Sequence, residues 1–253
     1  ELPPSVFYGI SQGGILGAGY SALSGPSGLI KRSILGVPGT PFALVMSRSM
    51  DFKGYDALML LNFYNNRHVR IFLNLAQMLW DSVEASGVLA PPLKEDFPRT
   101  LIQAGLGDPV VTTIAAECLA RAYQAKMLAG NPRSNIFRVG LADAGGGGDQ
   151  NKLLLGPKVT LTEMMYEEES ASLPSTDEFA EPNGVHICVR KDPALIGQIT
   201  EFVNTGSIMN PCLADNCHRR KADCYDKDSR KGRRVVSDES PVRRLGRVLG
   251  LSL

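Results

Sequence analysis

Residues 5–20 read SVFYGISQGGILGAGY, and this stretch decides the fold. The apolar run of residues 5–10 is typical of a short strand, and residues 12–24 predict a helix that begins with small side chains. Between the two, Gly9, Ser11 and Gly13 form the G-x-S-x-G pattern of a nucleophile elbow, in the strand–turn–helix context that the pattern requires. The turn is strained and projects the serine hydroxyl outward, while the glycines leave out side chains that would clash. We therefore expect Ser11 to be a nucleophile.

Strand and helix patterns alternate along the rest of the chain. Further strands are predicted at residues 30–37, 99–104 and 159–166, and helices at 57–66, 69–83, 111–128 and 193–203. This alternation predicts an α/β fold with a mostly parallel sheet and flanking helices, extending over residues 1–206.

The predicted helices between residues 57 and 86 interrupt the series of strands, as a cap over a cleft would. The helix at 69–83 is the more strongly amphipathic of the two. Its apolar residues at helical spacing are Phe72, Leu75, Ala76, Leu79 and Val83. We expect this segment to border the site and to set substrate choice.

Composition and charge place a basic tail after the globular part. The 253 residues are 43% hydrophobic and 21% charged, which is ordinary for a soluble globular protein. No apolar run reaches the roughly 18 residues that a membrane span needs. The net charge of +1 is unevenly distributed, because residues 218–253 contain 11 Lys and Arg against 5 Asp and Glu. We expect residues 207–253 to be a cysteine-containing basic tail, with disorder over 219–247.

The first predicted strand follows almost directly on Glu1. A strand of this kind needs neighbours for its backbone hydrogen bonds. We therefore expect the chain to be the C-terminal part of a longer protein whose earlier strands precede it.

Five cysteines leave two interpretations open. Cys118 and Cys188 lie in apolar stretches, helical and strand-like respectively, and are expected to be core thiols. Cys212, Cys217 and Cys224 cluster near the tail with His218, but no C-x-x-C pair is present, so zinc is disfavoured and no metal is expected. A disulfide between Cys212 and Cys217 is the alternative and would fit an exported protein. The sequence indicates no compartment beyond this.

Asp108 is the candidate acid for a serine-based site. A serine hydroxyl needs a base, usually a histidine that is oriented by a carboxylate. Asp108 follows the strand predicted at 99–104, within a tight loop that reads GLGDP. Loops at the ends of strands in open α/β sheets are where such folds place their chemistry. The alternative is an ordinary turn aspartate, because Asp-Pro commonly begins turns.

His186 is the candidate base. His68 lies in a polar stretch between two predicted helices and is expected to face solvent, and His218 lies in the tail. His186 comes after the strand predicted at 159–166 and before the helix that Pro193 opens, so a loop there would bring it back to Ser11. Two acids remain as rivals to Asp108, namely Asp81 on a helix and Glu163 in a strand.

These motifs together resemble the serine hydrolases of the α/β-hydrolase superfamily. The resemblance rests on residues 7–14 (FYGISQGG), 34–39 (ILGVPG), 105–111 (GLGDPVV) and on Val185 and His186 followed by Arg190. It covers residues 1–206 and corresponds to the C-terminal half of such a domain. It implies the chain order Ser, Asp, His of that family.

The resemblance also implies a mechanism. Ser11, Asp108 and His186 would form a catalytic triad, and the backbone N–H of Gln12 would stabilise the oxyanion. The family draws a second oxyanion N–H from a loop well before the nucleophile, so we expect the upstream part of the protein to be required for activity. No cofactor is implied.

The sequence thus predicts a serine hydrolase that acts on a small-molecule ester or amide through an acyl-enzyme. The alternative is a non-catalytic α/β-hydrolase-like fragment or binding module, with a basic tail for acidic partners or a membrane surface. The tail has no interleaved aromatic residues and the chain has no nucleic-acid fold motif, so we expect no nucleic-acid partner.

Overall fold

The computed structural model describes residues 5–88, 97–133, 135–142, 152–153, 158–166, 182–212 and 217–219. Its strands are β1 Val6–Ile10, β2 Arg32–Gly36, β3 Arg99–Gly105, β4 Lys126–Met127, β5 Gly140–Leu141, β6 Lys152–Leu153, β7 Val159–Tyr166, β8 Ile208–Met209 and β9 His218–Arg219. Its α-helices are α1 Gln12–Ser24, α2 Phe42–Met46, α3 Lys53–Phe63, α4 Asn66–Trp80, α5 Ala85–Val88, α6 Thr113–Ala122, α7 Val185–Lys191 and α8 Pro193–Thr205.

The main sheet is parallel, and its strands follow the order β1–β2–β3–β7–β4–β5. β4 pairs with the start of β7 and β9 with its end, so the two short strands share one edge of β7. β6 and β8 form a separate antiparallel pair. β2 and β3 are buried along almost their whole length, as expected for a parallel sheet that is covered on both faces. The predicted α/β class with a mostly parallel sheet is confirmed.

Helices cover both faces of this sheet. Leu35 of β2 points toward α1 and α6, where it joins a core cluster with Ala18 and Leu119. Its neighbour Ile34 points the opposite way and packs with Phe202 of α8. Successive side chains of a strand point to opposite faces of the sheet. A single apolar run therefore contributes to the core clusters on both faces.

A block of helices, α2 to α5, lies between β2 and β3 and includes the segment 57–86 that the sequence predicts to be a cap. The block is held by the buried carboxylate of Glu84, which accepts hydrogen bonds from the Phe42 N–H and from the Thr40 hydroxyl, both at 2.7 Å. A third hydrogen bond joins the Ala43 N–H to the side-chain oxygen of Gln77 on α4, at 2.9 Å.

The apolar spacing at 69–83 does not mark the buried face of α4. Phe72, Leu75 and Leu79 are exposed, whereas Val69 and Leu73 are buried against α2. The helix has apolar residues on both of its sides, and periodicity alone does not say which side faces the protein.

The helix predicted at 111–128 is shorter than expected. α6 ends at Ala122, and Lys126–Met127 form β4, parallel to β7. The break is fixed by tertiary contacts, because the buried Tyr123 hydroxyl donates a 2.6 Å hydrogen bond to the Ala18 carbonyl and Gln124 adopts a positive φ of 51°. The residues after the break, Lys126 and Met127, pair with Thr160 and Leu161 of β7.

The packed structure continues beyond residue 206, which the sequence predicts to be the domain boundary. β8 and β9 both lie beyond it, and a buried disulfide joins Cys212 to Cys217. These two sulfurs are therefore not available as zinc ligands, and the described residues contain no cluster of three or more candidate metal ligands. Cys188 is buried and also disulfide-bonded, so of the two expected core thiols only the half-buried Cys118 is free.

The disorder predicted over 219–247 lies outside the described residues, except that Arg219 is part of β9. Within the described part of the chain, no helix is long and apolar enough to cross a membrane.

Candidate active site

Ser11 lies at the turn between β1 and α1, in a backbone conformation that few non-glycine residues adopt. Its φ is 57° and its ψ is −123°. The Ser11 N–H donates a 2.8 Å hydrogen bond to the Gly36 carbonyl at the end of β2, and its own carbonyl accepts the first hydrogen bonds of α1. Such strained residues persist only where their surroundings hold them, and they cluster at functional sites.

The two glycines that flank Ser11 have different roles. A Cβ at Gly9 would lie 2.3 Å from the Gly13 carbonyl oxygen, so only glycine fits where the turn folds back on the strand. A Cβ at Gly13 would meet no atom within 4 Å. The expectation that both glycines avoid clashes is therefore right for Gly9 and wrong for Gly13.

His186 lies in the first turn of α7 rather than in a loop, and the run at 185–190 is helical rather than strand-like. Val185, Cys188 and Val189 are buried at helical spacing, and a short apolar run of this kind fits either structure from sequence alone. α7 packs directly on β3, because a Cβ at Gly105 would come within 2.5 Å of the Val185 side chain.

Ser11, His186 and Asp108 form one continuous hydrogen-bonded chain. His186 Nε2 lies 3.0 Å from Ser11 Oγ, and His186 Nδ1 lies 2.7 Å from Asp108 Oδ2. The imidazole is 7% exposed and the aspartate 4% exposed, whereas Ser11 is half-buried. The structure thus brings together the three residues that the sequence singles out, with the hydroxyl at the accessible end of the chain.

The tautomer of His186 is set by its partners. An ionised carboxylate only accepts hydrogen bonds, so Nδ1 carries the proton and donates it to Asp108. Nε2 is then left with a lone pair directed at the Ser11 hydroxyl. This is the arrangement in which a neutral histidine is able to remove a proton from a serine.

Asp108 is held by its own loop as well as by His186. Its second oxygen, Oδ1, accepts hydrogen bonds from the backbone N–H groups of Val110 and Val111, at 2.8 and 3.0 Å. The carboxylate therefore has donors on both oxygens and one fixed orientation. These bonds form an Asx-type turn, which accounts for the Asp-Pro sequence. Asp108 therefore stabilises a turn through Oδ1 and contacts His186 through Oδ2, and its two predicted roles are compatible.

Two supporting residues were missed in the sequence. Asn183 donates a 2.8 Å hydrogen bond to the Gly107 carbonyl and accepts one from the Val185 N–H, which ties the start of α7 to the Asp108 loop. Thr113 bonds both to the Gly107 N–H and to the Gly105 carbonyl. The only signal in the sequence is that each lies at or just before the start of a helix, as many Asn and Thr residues do.

The backbone at the start of α1 offers hydrogen-bond donors beside Ser11. Gln12 and Gly13 are the first two residues of this 13-residue helix, so their N–H groups have no carbonyl partner within it. The helix dipole adds partial positive charge at the same end. Both features suit the binding of an oxyanion next to Ser11.

An apolar core cluster lies next to the site. Ile15, one turn after Ser11 on α1, packs with Val45 of α2 and with Val111 of the Asp108 loop, and Phe42 and Val110 pack against this cluster. The helical block is anchored to the same loop, since the Met50 N–H donates to the Pro109 carbonyl. The block that the sequence predicts to be a cap is thus in contact with the segment that carries Asp108.

The alternative acid Asp81 and the other two histidines lie outside this hydrogen-bonded chain. Asp81 is exposed at the end of α4 and accepts a hydrogen bond from Gln77. His68 is exposed in the first turn of α4, as expected, and bonds to Asn65 and the Phe63 carbonyl. His218 is exposed in β9.

Glu163, the other rival acid, is fully buried beside Arg133 rather than His186. Arg133 is shared between Glu163, at 3.2 Å, and Glu117, which is in closer contact. Burial is the larger effect on Glu163 and raises its pKa, whereas the nearby Arg133 lowers it. One carboxyl oxygen of Glu163 has no hydrogen-bond partner among the described residues.

No protein-family model matches the chain, and no curated protein or solved structure shows significant similarity to it. The function of the chain is therefore inferred from the geometry of the site.

The raised pKa of Glu163 predicts a pH-dependent loss of stability. The folded state holds the proton of Glu163 more tightly than the unfolded state does. The resulting contribution to the free energy of unfolding is complete below the ordinary pKa of 4.5. It is lost as the pH rises through the higher pKa that Glu163 has in the folded protein. Glu163→Gln keeps a neutral group at every pH. We expect its Tm to fall less than that of the wild type between about pH 4 and pH 8, as measured by circular dichroism.

The matched control is Asp51→Asn, which changes an exposed acid on the helical block. Its Tm is expected to follow the wild-type curve. Equal pH profiles for Glu163→Gln and the wild type would show that Glu163 is ionised in the folded protein.

Proposed function

We propose that the chain carries the active site of a serine hydrolase, which cleaves an ester or amide through an acyl-enzyme intermediate. The observation that carries this proposal is the pair of hydrogen bonds from Ser11 Oγ to His186 Nε2, at 3.0 Å, and from His186 Nδ1 to Asp108, at 2.7 Å. The strained backbone of Ser11 supports it, as do the first N–H groups of α1, which have no carbonyl partner within the helix.

In the first half of the reaction, His186 Nε2 takes the hydroxyl proton as Ser11 Oγ attacks the carbonyl carbon of the substrate. The resulting oxyanion accepts a hydrogen bond from the Gln12 N–H. Asp108 stabilises the imidazolium and keeps the ring oriented. The tetrahedral intermediate then collapses, and His186 gives its proton to the departing alcohol or amine.

In the second half, a water molecule repeats these steps on the acyl-enzyme. His186 takes a proton from the water, the hydroxide oxygen bonds to the acyl carbon, and Ser11 leaves with the proton returned by His186. The products are a carboxylic acid and the regenerated serine. Every proton is moved by a side chain that is described in the structure.

The first test uses a fluorophosphonate probe, which labels activated serines, on the complete natural protein. We expect labelling that Ser11→Ala abolishes and that His186→Ala slows by at least about 100-fold, because a general base contributes on the order of 10²–10⁴. A complete protein that folds and does not label would contradict the proposal and favour the non-catalytic binding module.

The second test separates the two candidate acids. Asp108→Asn replaces an oxygen that accepts from His186 with a group that is able to donate, and the wrong tautomer of the ring is then favoured. We expect ester hydrolysis to slow by about 10²–10⁴. Asp81→Asn is the matched control and is expected to retain activity within about twofold, since surface changes away from a site have little effect. The reverse ranking would transfer the acid role to Asp81.

The apolar cluster of Ile15, Phe42 and Val110 beside the site favours an uncharged, partly hydrophobic acyl group. A charged acyl group would have to be desolvated there without a partner. In a panel of p-nitrophenyl esters we expect kcat/KM for butyrate to exceed that for the succinate monoester by at least about tenfold. A preference for the charged acyl group would contradict this substrate assignment and leave the triad unaffected.

A further inference from the structure

Helix α4 has a second apolar face, which is largely exposed. Val69 and Leu73 are buried on the side that faces α2. On the other side, five large apolar residues between 44% and 77% exposed follow the helical repeat. These residues are Ile71, Phe72, Leu75, Met78 and Leu79, and together they form what we term the outer stripe.

The outer stripe continues onto the end of α3. The ring of Phe72 stacks on that of Phe63 with their centroids 5.0 Å apart. Close to Phe63 in the chain are two of the most exposed apolar side chains, Leu61 and Tyr64, at 73% and 88%. Single exposed apolar residues are normal on a protein surface, but a contiguous patch of this kind marks an interaction site.

An open groove of about 510 Å³, with a largely apolar lining, runs along one flank of the outer stripe. The side chains of Ile71 and Leu75 form its apolar side, and those of Asn66, Arg67 and Asn74 contribute amide and guanidinium donors, together with Arg70. Arg70 lies near Asp56 of α3, whereas Arg67 is exposed. The sequence of α4 contains two arginines and no Asp or Glu.

We propose that the outer face of α4 docks onto an anionic phospholipid surface. The outer stripe would enter the boundary between headgroups and acyl chains, and the donors of Arg67 and its neighbours would bind phosphate oxygens. A membrane-surface helix has this composition, with aromatic and aliphatic residues on one face and basic residues on its flank. Residues 66–80 contain no acidic side chain, and the exposed Asp81 follows at the end of the helix. An anionic lipid surface offers acyl chains to the outer stripe and phosphate oxygens to Arg67 at the edge of the groove.

This docking surface is independent of the proposed hydrolase activity. Ser11 lies at the start of α1, and no residue of the outer stripe is among those that contact it or His186. Ser11→Ala is therefore expected to bind lipid as the wild type does. Failure of the fluorophosphonate test would leave the docking proposal standing, and the reverse also holds.

The test is co-sedimentation of the full chain with large unilamellar vesicles, of phosphatidylcholine alone and with about one part in four phosphatidylserine. Leu75→Ser combined with Leu79→Ser removes two stripe residues, and we expect the partition coefficient to fall by about thirtyfold. Arg67→Gln is expected to weaken binding about fivefold on the anionic vesicles and to leave binding to phosphatidylcholine unchanged.

The matched control combines Leu23→Ser with Leu29→Ser, two leucines of similar exposure (64% and 63%) at and just beyond the far end of α1. We expect wild-type binding. The basic segment 218–253 is identical in all variants, so any contribution from it cancels. Unchanged binding of the stripe variant would overturn the proposal. The proposal would also be overturned if the wild type formed a dimer in analytical ultracentrifugation and the stripe variant were a monomer. The stripe would then contact a second copy of the chain.

Discussion

The parallel register of β1, β2 and β3 is the constraint on which the candidate site depends. Ile10 is paired with Gly36, and Gly36 with Gln103, so the three strands end at the same edge of the sheet. The chain leaves β1 directly into the turn of Ser11 and leaves β3 into the loop of Asp108. Two residues almost a hundred positions apart are therefore placed at one edge before any side-chain contact forms. The edge of an open α/β sheet where strands end at their carboxyl termini is where such folds bind their ligands.

Close packing of backbone then decides which residues are tolerated around this edge. Gly9 lets the turn after Ser11 fold back on β1, and Gly105 lets α7 approach β3. The first contact fixes the unusual backbone of the serine, and the second brings His186 within reach of it. Glycine is required at both positions for lack of space, and its conformational freedom is not used there. The precision of the site thus comes from the packing of the fold as well as from hydrogen bonds among its polar residues.

The sequence predicted the strand–turn–helix at Ser11 and the parallel sheet, because each leaves a local pattern. The choice of Asp108 and His186 rested instead on their places after predicted strands and on the chain order Ser, Asp, His. The sequence did not predict that His186 lies on a helix, since the seven residues of α7 are too few to distinguish the two apolar periods. Nor did it predict which face of α4 is buried, because both faces are apolar and the choice depends on where α2 lies. The role of Asn183 could not be predicted for a similar reason, because its hydrogen bond reaches the Asp108 loop across 76 residues of chain.

Asp108 and Glu163 show that burial alone does not give a carboxylate a role in a site. Both are almost fully buried on neighbouring strands or their loops. Both oxygens of Asp108 have N–H donors, two from its own loop and one from His186, so the group has a single orientation toward the imidazole. Glu163 shares one guanidinium with a second acid and has one oxygen with no donor among the described residues, and its burial favours the protonated form. What distinguishes the two acids is therefore the set of donors that each loop or strand supplies.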